Sequence, residues 1–133
     1  MSQQNLEILR RYYDHREKAG DFPEEVTAPD FVWDMSTFRG WPEQPIYEGL
    51  EGARRFIREW TDAFESWQIE VETIRDAGDD RVVGIMRQRG RSKSTGLPVD
   101  MRYAQVWTIR DGKLRRMEMY ADTDEALKAV GLQ

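Results

Sequence analysis

The hydrophobic period of this chain changes for good near residue 66. In the two longest segments before it the apolar side chains recur every three or four positions, and from Trp67 onward every second position. A spacing near 3.6 buries one stripe of a helix, and a spacing of 2 buries one face of a strand. Helices therefore come first and a sheet follows. Elements segregated in this way pack as α+β, with the helices against one face of a mostly antiparallel sheet. The 133 residues read as a single domain, 1–133, since roughly 100–150 residues is the usual domain size. No repeat, linker or low-complexity run interrupts them.

Residues 3 to about 19 carry Leu6, Leu9 and Tyr13 at helical spacing, with Ile8 and Tyr12 beside them, and Gly20 ends the helix. Asp21 to Val26 reads as a second short helix, capped by Asp21 with Pro23 in its first turn. Phe31-Val32-Trp33-Asp34-Met35 alternates as a strand with Phe31, Trp33 and Met35 on one face. Gly40, Pro42 and Pro45 make 36–45 a loop, and Ile46 to Gly49 is a short extended piece. Leu50 to Ser66 reads as the second long helix, presenting Ala53, Phe56, Ile57, Trp60 and Phe64.

The remainder is a four-strand meander. Trp67, Ile69, Val71 and Thr73 form the apolar face of its first strand. Gly78-Asp79-Asp80 turns the chain into a strand over 81–91. A third strand covers 99–109, Asp111-Gly112 is a hairpin turn, and a fourth strand covers 113–121. Asp122-Thr123-Asp124-Glu125 opens a final short helix with Leu127 and Val130 on its apolar side, ended by Gly131. Opposite charges pair best across strands, so Arg87 and Arg89 belong on the face that bears Glu70 and Glu72. That choice turns Met86, Gln88, Met101, Tyr103, Gln105, Trp107, Met117 and Met119 inward. It leaves Val83, Ile85, Ala104, Val106 and Tyr120 on the outer face. A strongly twisted sheet of this kind curls over its helices as a half-open cone.

Composition excludes several chemistries. There is no cysteine and one histidine, His15, which removes thiolate nucleophiles, thiolate metal sites and any site needing two imidazoles. The net charge of −5 argues against nucleic acid as a partner. The basic run Arg87 to Lys93 has Glu70, Glu72, Asp79 and Asp80 nearby to neutralise it. No apolar run approaches the ~18 residues of a membrane span, and no basic head followed by an apolar core marks a signal peptide. The expectation is a cytoplasmic protein without membrane contact. Phosphate-binding loops, dinucleotide fingerprints and metal-ligand clusters are missing from the sequence, so no metal and no cofactor is implied.

The inner face is rich in methionine and aromatic rings, with Gln88, Tyr103 and Gln105 as isolated polar groups. Two readings follow. One is a closed core whose polar tips find partners within the chain. The other is an apolar cavity with a few convergent hydrogen-bonding groups, the usual make-up of a small-molecule site. Buried glutamine and tyrosine cost free energy unless bonded, which favours something polar beside them.

The opening helix ending Ala19-Gly20-Asp21, the strand Val32-Trp33-Asp34, Tyr47-Glu48-Gly49 before a helix, and the run Val106 to Leu114 followed by Met119-Tyr120-Ala121-Asp122 resemble the SnoaL-like branch of the nuclear transport factor 2-like superfamily, which also contains the ketosteroid isomerases. The closing stretch Asp124 to Leu132 is similar to bacterial members. The resemblance spans nearly the whole chain. It implies a cone-shaped α+β half-barrel (a cystatin-like roll) with a pocket between sheet and helices, and commonly a homodimer through the outer sheet face. It does not fix a reaction, because one fold hosts many activities.

Carried over residue by residue, the isomerase pattern places its tyrosine at Tyr13, its base at or beside Met35 with Asp34 adjacent, and its second oxyanion donor at Gln105. Methionine accepts no proton, so Asp34 would have to turn inward. The epoxide hydrolase pattern falls near Arg87, Arg89 and Met119 and lacks both its carboxylates. A polyketide-cyclase-like site needs one acid–base residue in an apolar pocket, and Asp34 is the candidate, with Tyr13 or Gln105 polarising a carbonyl. A carboxylate at a strand end that simply bonds the adjoining loop is the structural alternative. The functional expectation is a cofactor-free isomerase, cyclase or hydrolase acting on a small apolar carbonyl compound. Asp34, Tyr13 and Gln105 would be catalytic, and Trp33, Tyr47, Trp60, Met86, Gln88, Tyr103, Trp107, Met117 and Met119 would line the pocket. The alternative is a non-catalytic binding or dimeric interaction module of the same fold.

Overall fold

The computed structural model describes residues 2–38 and 45–132; the middle of the expected 36–45 loop, 39–44, lies outside the described residues. Helix α1 (Ser2–Ala19) is followed by a 3₁₀ turn (Glu24–Val26), β1 (Thr27–Asp34), β2 (Ile46–Glu48), α2 (Gly49–Asp62), β3 (Phe64–Gly78), β4 (Arg81–Ser92), β5 (Pro98–Arg110), β6 (Lys113–Tyr120) and α3 (Thr123–Ala129). Among the described residues the six strands form one curved, unclosed sheet in the order β2-β1-β6-β5-β4-β3. Every neighbouring pair is antiparallel except β1 and β6, which run parallel. The fold is the expected α+β half-barrel. No described helix is long and apolar enough to cross a membrane.

The helices form for the reasons the sequence suggests. In α1 the buried positions are Asn5, Ile8, Leu9 and Tyr12, a stripe spaced for one helix face. Leu6 and Tyr13 sit at its edge, partly buried. Gly20 adopts φ +71° and its N–H bonds back to the Arg16 carbonyl at 2.9 Å, closing the helix as a left-handed cap. In α2, Ala53, Phe56 and Trp60 face the sheet. On its outer side Arg54 holds Asp21, Glu24 and Glu51, so Asp21 is an ion-pair partner of Arg54, and the side chains give the 3₁₀ turn no cap. Phe64 to Ser66 leave the helix because they pair with Ser92 and Arg91 at the start of β3, four residues earlier than the amphipathic pattern predicts.

The inner and outer faces are as expected, with one exception. β3 carries a bulge between Val71 and Thr73. An extra residue on one strand flips the parity beyond it. Thr73 therefore pairs with Ile85 on the outer face, and Ile74 takes the inward position opposite Gly84. Trp67, Ile69 and Val71 do lie on the inner face, opposite Gly90, Gln88 and Met86, but at the sheet edge, where they stay 37–39% exposed.

The outer apolar stripe is not left for a partner. Val83, Ile85, Ala104 and Val106 are buried beneath α3, packed with Ala126, Leu127, Val130 and Tyr120. The Asp122 carboxylate accepts from the Asp124 and Glu125 N–H groups and starts this helix. It ends at Gly131, φ +80°, with Leu132 N–H on the Leu127 carbonyl at 2.8 Å and Gly131 N–H on the Lys128 carbonyl at 3.1 Å. The apolar stripe of the outer face is thus covered by α3.

Candidate functional site

Two clusters of rings pack within the hollow of the sheet. The deeper one joins Tyr12, Phe22, Phe31, Trp33, Phe56 and Trp107, with Tyr12 and Trp107 centroids 4.5 Å apart and Trp33 and Phe56 4.6 Å apart. The outer one joins Phe38, Trp60, Phe64 and Tyr103 at 5.6–6.3 Å. Phe56 and Trp60 link them at 5.6 Å. Met86, Met117 and Met119 are buried among these rings. Two surface cavities, of about 410 Å³ beside Glu24, Glu48 and Leu50 and about 130 Å³ beside Gln68, Ile69, Glu70, Arg87 and Arg89, include none of the inner glutamines or tryptophans in their lining.

One polar group sits in each ring cluster. In the first, the Tyr13 hydroxyl donates to Gln105 Oε1 at 2.8 Å and accepts from Trp107 Nε1 at 3.2 Å. Gln105 Nε2 reaches only the Met119 sulfur, at 3.9 Å, and sulfur is a weak acceptor. Gly84 lies opposite Gln105 on β4, and a Cβ there would stand 2.3 Å from the Tyr13 oxygen. The glycine makes room for that hydroxyl. Gly84 alternates with the inward Met86 and Gln88, and a glycine inside a strand is the signal that something approaches the backbone closely. Burial pushes the Tyr13 hydroxyl well above its ordinary value, so it holds its proton and stays a donor.

In the second cluster, Gln88 Oε1 accepts from Trp60 Nε1 and from the Tyr103 hydroxyl, each at 3.1 Å. An indole N–H can only donate, so the amide cannot be turned end for end. Its Nε2 then points elsewhere, buried and without a hydrogen-bond partner among the described residues. Burial also raises the Tyr103 hydroxyl above its ordinary value.

The structure brings together Tyr13, Gln105 and Trp107, and separately Trp60, Gln88 and Tyr103, on one side of the sheet. Asp34 is not with them. It lies in register with Glu118, which pairs with Val106 on the outer face. One Asp34 oxygen meets Arg116 and the other accepts the Ser36 N–H at 2.8 Å. Regular alternation after the inward Trp33 places it there, and both oxygens are occupied by Arg116 and the adjoining turn. Trp33 is walled in by Phe56 and Trp107, and its Nε1 meets the Met35 sulfur at 3.3 Å. Tyr47 sits under α2, donating to Glu59 Oε1 at 2.5 Å, with Arg55 over its ring; it is a packing residue between β2 and α2. Phe38 and Phe64, missed from the sequence, complete the outer ring cluster. Phe64 is hidden by the helical reading of its segment, and Phe38 sits in a loop with no periodicity to mark it.

The SnoaL-like domain model matches residues 9–117. No functionally curated protein matches the chain in sequence. Among solved structures, an NTF2-like protein of Burkholderia thailandensis is similar at TM-score 0.75 and 24% identity, covering 94% of this chain and 95% of that one. A protein of Jannaschia sp. CCS1 classed with the SnoaL-like polyketide cyclases reaches 0.72 and 22%, covering 99% and 94%. TerC, co-crystallised with polyporic acid, reaches 0.73 and 20%, covering 96% and 98%. At such identities the likeness is one of fold. The half-cone sheet, the two N-terminal helices laid across it and the match over most of its length make this chain a member of the SnoaL-like domain family.

Proposed function

We propose that the hollow of the sheet binds a small, apolar, carbonyl-bearing molecule without a cofactor, and that the protein holds this ligand rather than moving its protons. The observation that carries the reading is the chemistry of the buried inner face. Its polar groups are amides, phenols and indoles. The one buried carboxylate among the described residues, Asp34, is on the other side of the sheet. Such a set orients a carbonyl by hydrogen bonding and gives proton abstraction no base. Members of the same fold with bound ligands, such as TerC with polyporic acid, support the binding half of the reading.

The test is a titration with 2-acetonaphthone, followed by proton–nitrogen NMR. The indole resonances of Trp33, Trp60 and Trp107 shift, and Asp34→Asn binds as the wild type does. In heavy water the ketone's methyl protons exchange no faster with the protein than in buffer. Unmoved indoles sink the binding reading. Accelerated exchange that Asp34→Asn abolishes restores acid–base catalysis in its place.

A further inference from the structure

The Gln88 amide is wholly buried, yet one half of it is unused. Its oxygen is doubly occupied by Trp60 and Tyr103, which locks the group. Its nitrogen carries protons with no acceptor among the described residues. A buried donor in this state forfeits its hydration without return, so a chain that retains one has a use for it or hides a water there. Around it stand Trp60 and Tyr103, with Phe38 and Phe64 packed on those rings. On the neighbouring strands Gln88 lies between Ile69 and Met101. Ile69 belongs to the exposed apolar row Trp67, Ile69, Val71. The β3 residue paired with the buried Gln88 is therefore itself part of an exposed apolar row.

Resting on the binding reading above, we infer that Gln88 Nε2 is the recognition donor for a neutral carbonyl oxygen on a flat, aromatic or conjugated ligand that enters over the Ile69 row and lies among Trp60, Tyr103 and Phe38. Flatness follows from the rings that form the walls. Neutrality follows from where the charges are. Arg87 and Arg89 alternate away from Gln88 to the outer face, where Asp100 engages both, and Arg16 acts on Tyr103 only through space, so among the described residues no cation is paired at the amide and an anion would be desolvated there. A buried water is the competing acceptor for Nε2. It needs two to four polar partners of its own and would give no preference among ligands.

Three probes of one shape separate these cases: 2-acetonaphthone, 2-ethylnaphthalene and 2-naphthoate. The ketone is expected to bind about tenfold more tightly than the hydrocarbon, the yield of satisfying one buried donor. It moves the Gln88 side-chain amide protons downfield in proton–nitrogen spectra, and the hydrocarbon does not. The naphthoate binds no better than the hydrocarbon. Gln88→Met keeps the side chain's length and a weak acceptor but carries no donor, and it removes the ketone's advantage while hydrocarbon binding persists. Should Gln88→Met fail to fold, the wild-type spectra alone decide. Equal binding of ketone and hydrocarbon, or an unmoved Gln88 amide, overturns the inference and leaves the binding reading standing. Tighter binding of the naphthoate overturns the neutral-ligand assignment. Failure of all three probes to bind overturns both readings together.

Discussion

Gly84→Ala tests whether the Tyr13 hydroxyl is seated where the strand backbone leaves room for it. The added methyl would lie 2.3 Å from the Tyr13 oxygen, against 3.2 and 3.3 Å from its ring carbons. Non-bonded contacts settle near 3.5 Å, so the hydroxyl must retreat by about 1 Å. Tyrosine is stiff, and Tyr12 and Trp107 pack on its ring. The bonds to Gln105 and Trp107, now 2.8 and 3.2 Å, would then stretch beyond useful range. Freeing two buried groups costs about 1–3 kcal/mol each before relaxation. Replacing a strand glycine returns about 0.5–1 kcal/mol. The net expectation is a loss of about 2 kcal/mol, read as a lower urea midpoint with an unchanged slope. The decisive measurement is the cycle with Tyr13→Phe. That variant already lacks the hydroxyl, so adding Gly84→Ala to it costs about 0.5 kcal/mol or less, giving a coupling of about 1.5–2 kcal/mol. An equal loss in both backgrounds would refute the seating of the hydroxyl over Gly84.

Three further outcomes are expected. Asp34→Asn strands Arg116 without its counter-ion; a broken buried pair costs 3–5 kcal/mol, but Arg116 is 40% exposed, so the loss in denaturant titration is about 1–2 kcal/mol. Burial raises the hydroxyls of Tyr12, Tyr13, Tyr103 and Tyr120; their contribution is complete below the unfolded value of 10.0 and drains away as pH climbs above it, so phenolate absorbance should rise together with unfolding, and a free titration of all tyrosines in the folded protein would contradict their burial. Ala126→Asp drives a charge under α3 and uncovers Val83, Ile85, Ala104 and Val106, so sedimentation should show self-association that the wild-type contact suppresses, and a variant no more associated than the wild type would show that α3 is not the cover.

The sequence announces its layers through the change of period, and its turns through Asp111-Gly112 and Gly78-Asp79-Asp80, whose left-handed backbones are present. Charge pairing settled which way β4 faces: Arg87 meets Asp100, and Arg102 meets Glu72, on the outer side. Gln88 and Gln105 were legible as inward polar groups for the same reason. Three things were not. The bulge after Val71 has no marker, since neither glycine nor proline flags it. That α3 covers the outer stripe has no marker either, because a seven-residue helix gives no hint of which surface it packs on. The side of the sheet that Asp34 occupies follows from simple alternation, and only the isomerase resemblance argued for an irregularity that would turn it inward.

The parallel pairing of β1 with β6 has a consequence for synthesis. Val32 lies against Arg116, Trp33 against Met117 and Asp34 against Glu118. The early strands and the helix after them have no completed bed until β6 has left the ribosome. Joining ends some 80 residues apart costs about 4 kcal/mol of chain entropy, recovered only when the Trp33 and Trp107 rings meet. The nascent chain must therefore carry the aromatic side chains of β1 and α2 uncovered until β6 is made, and their packing waits on it.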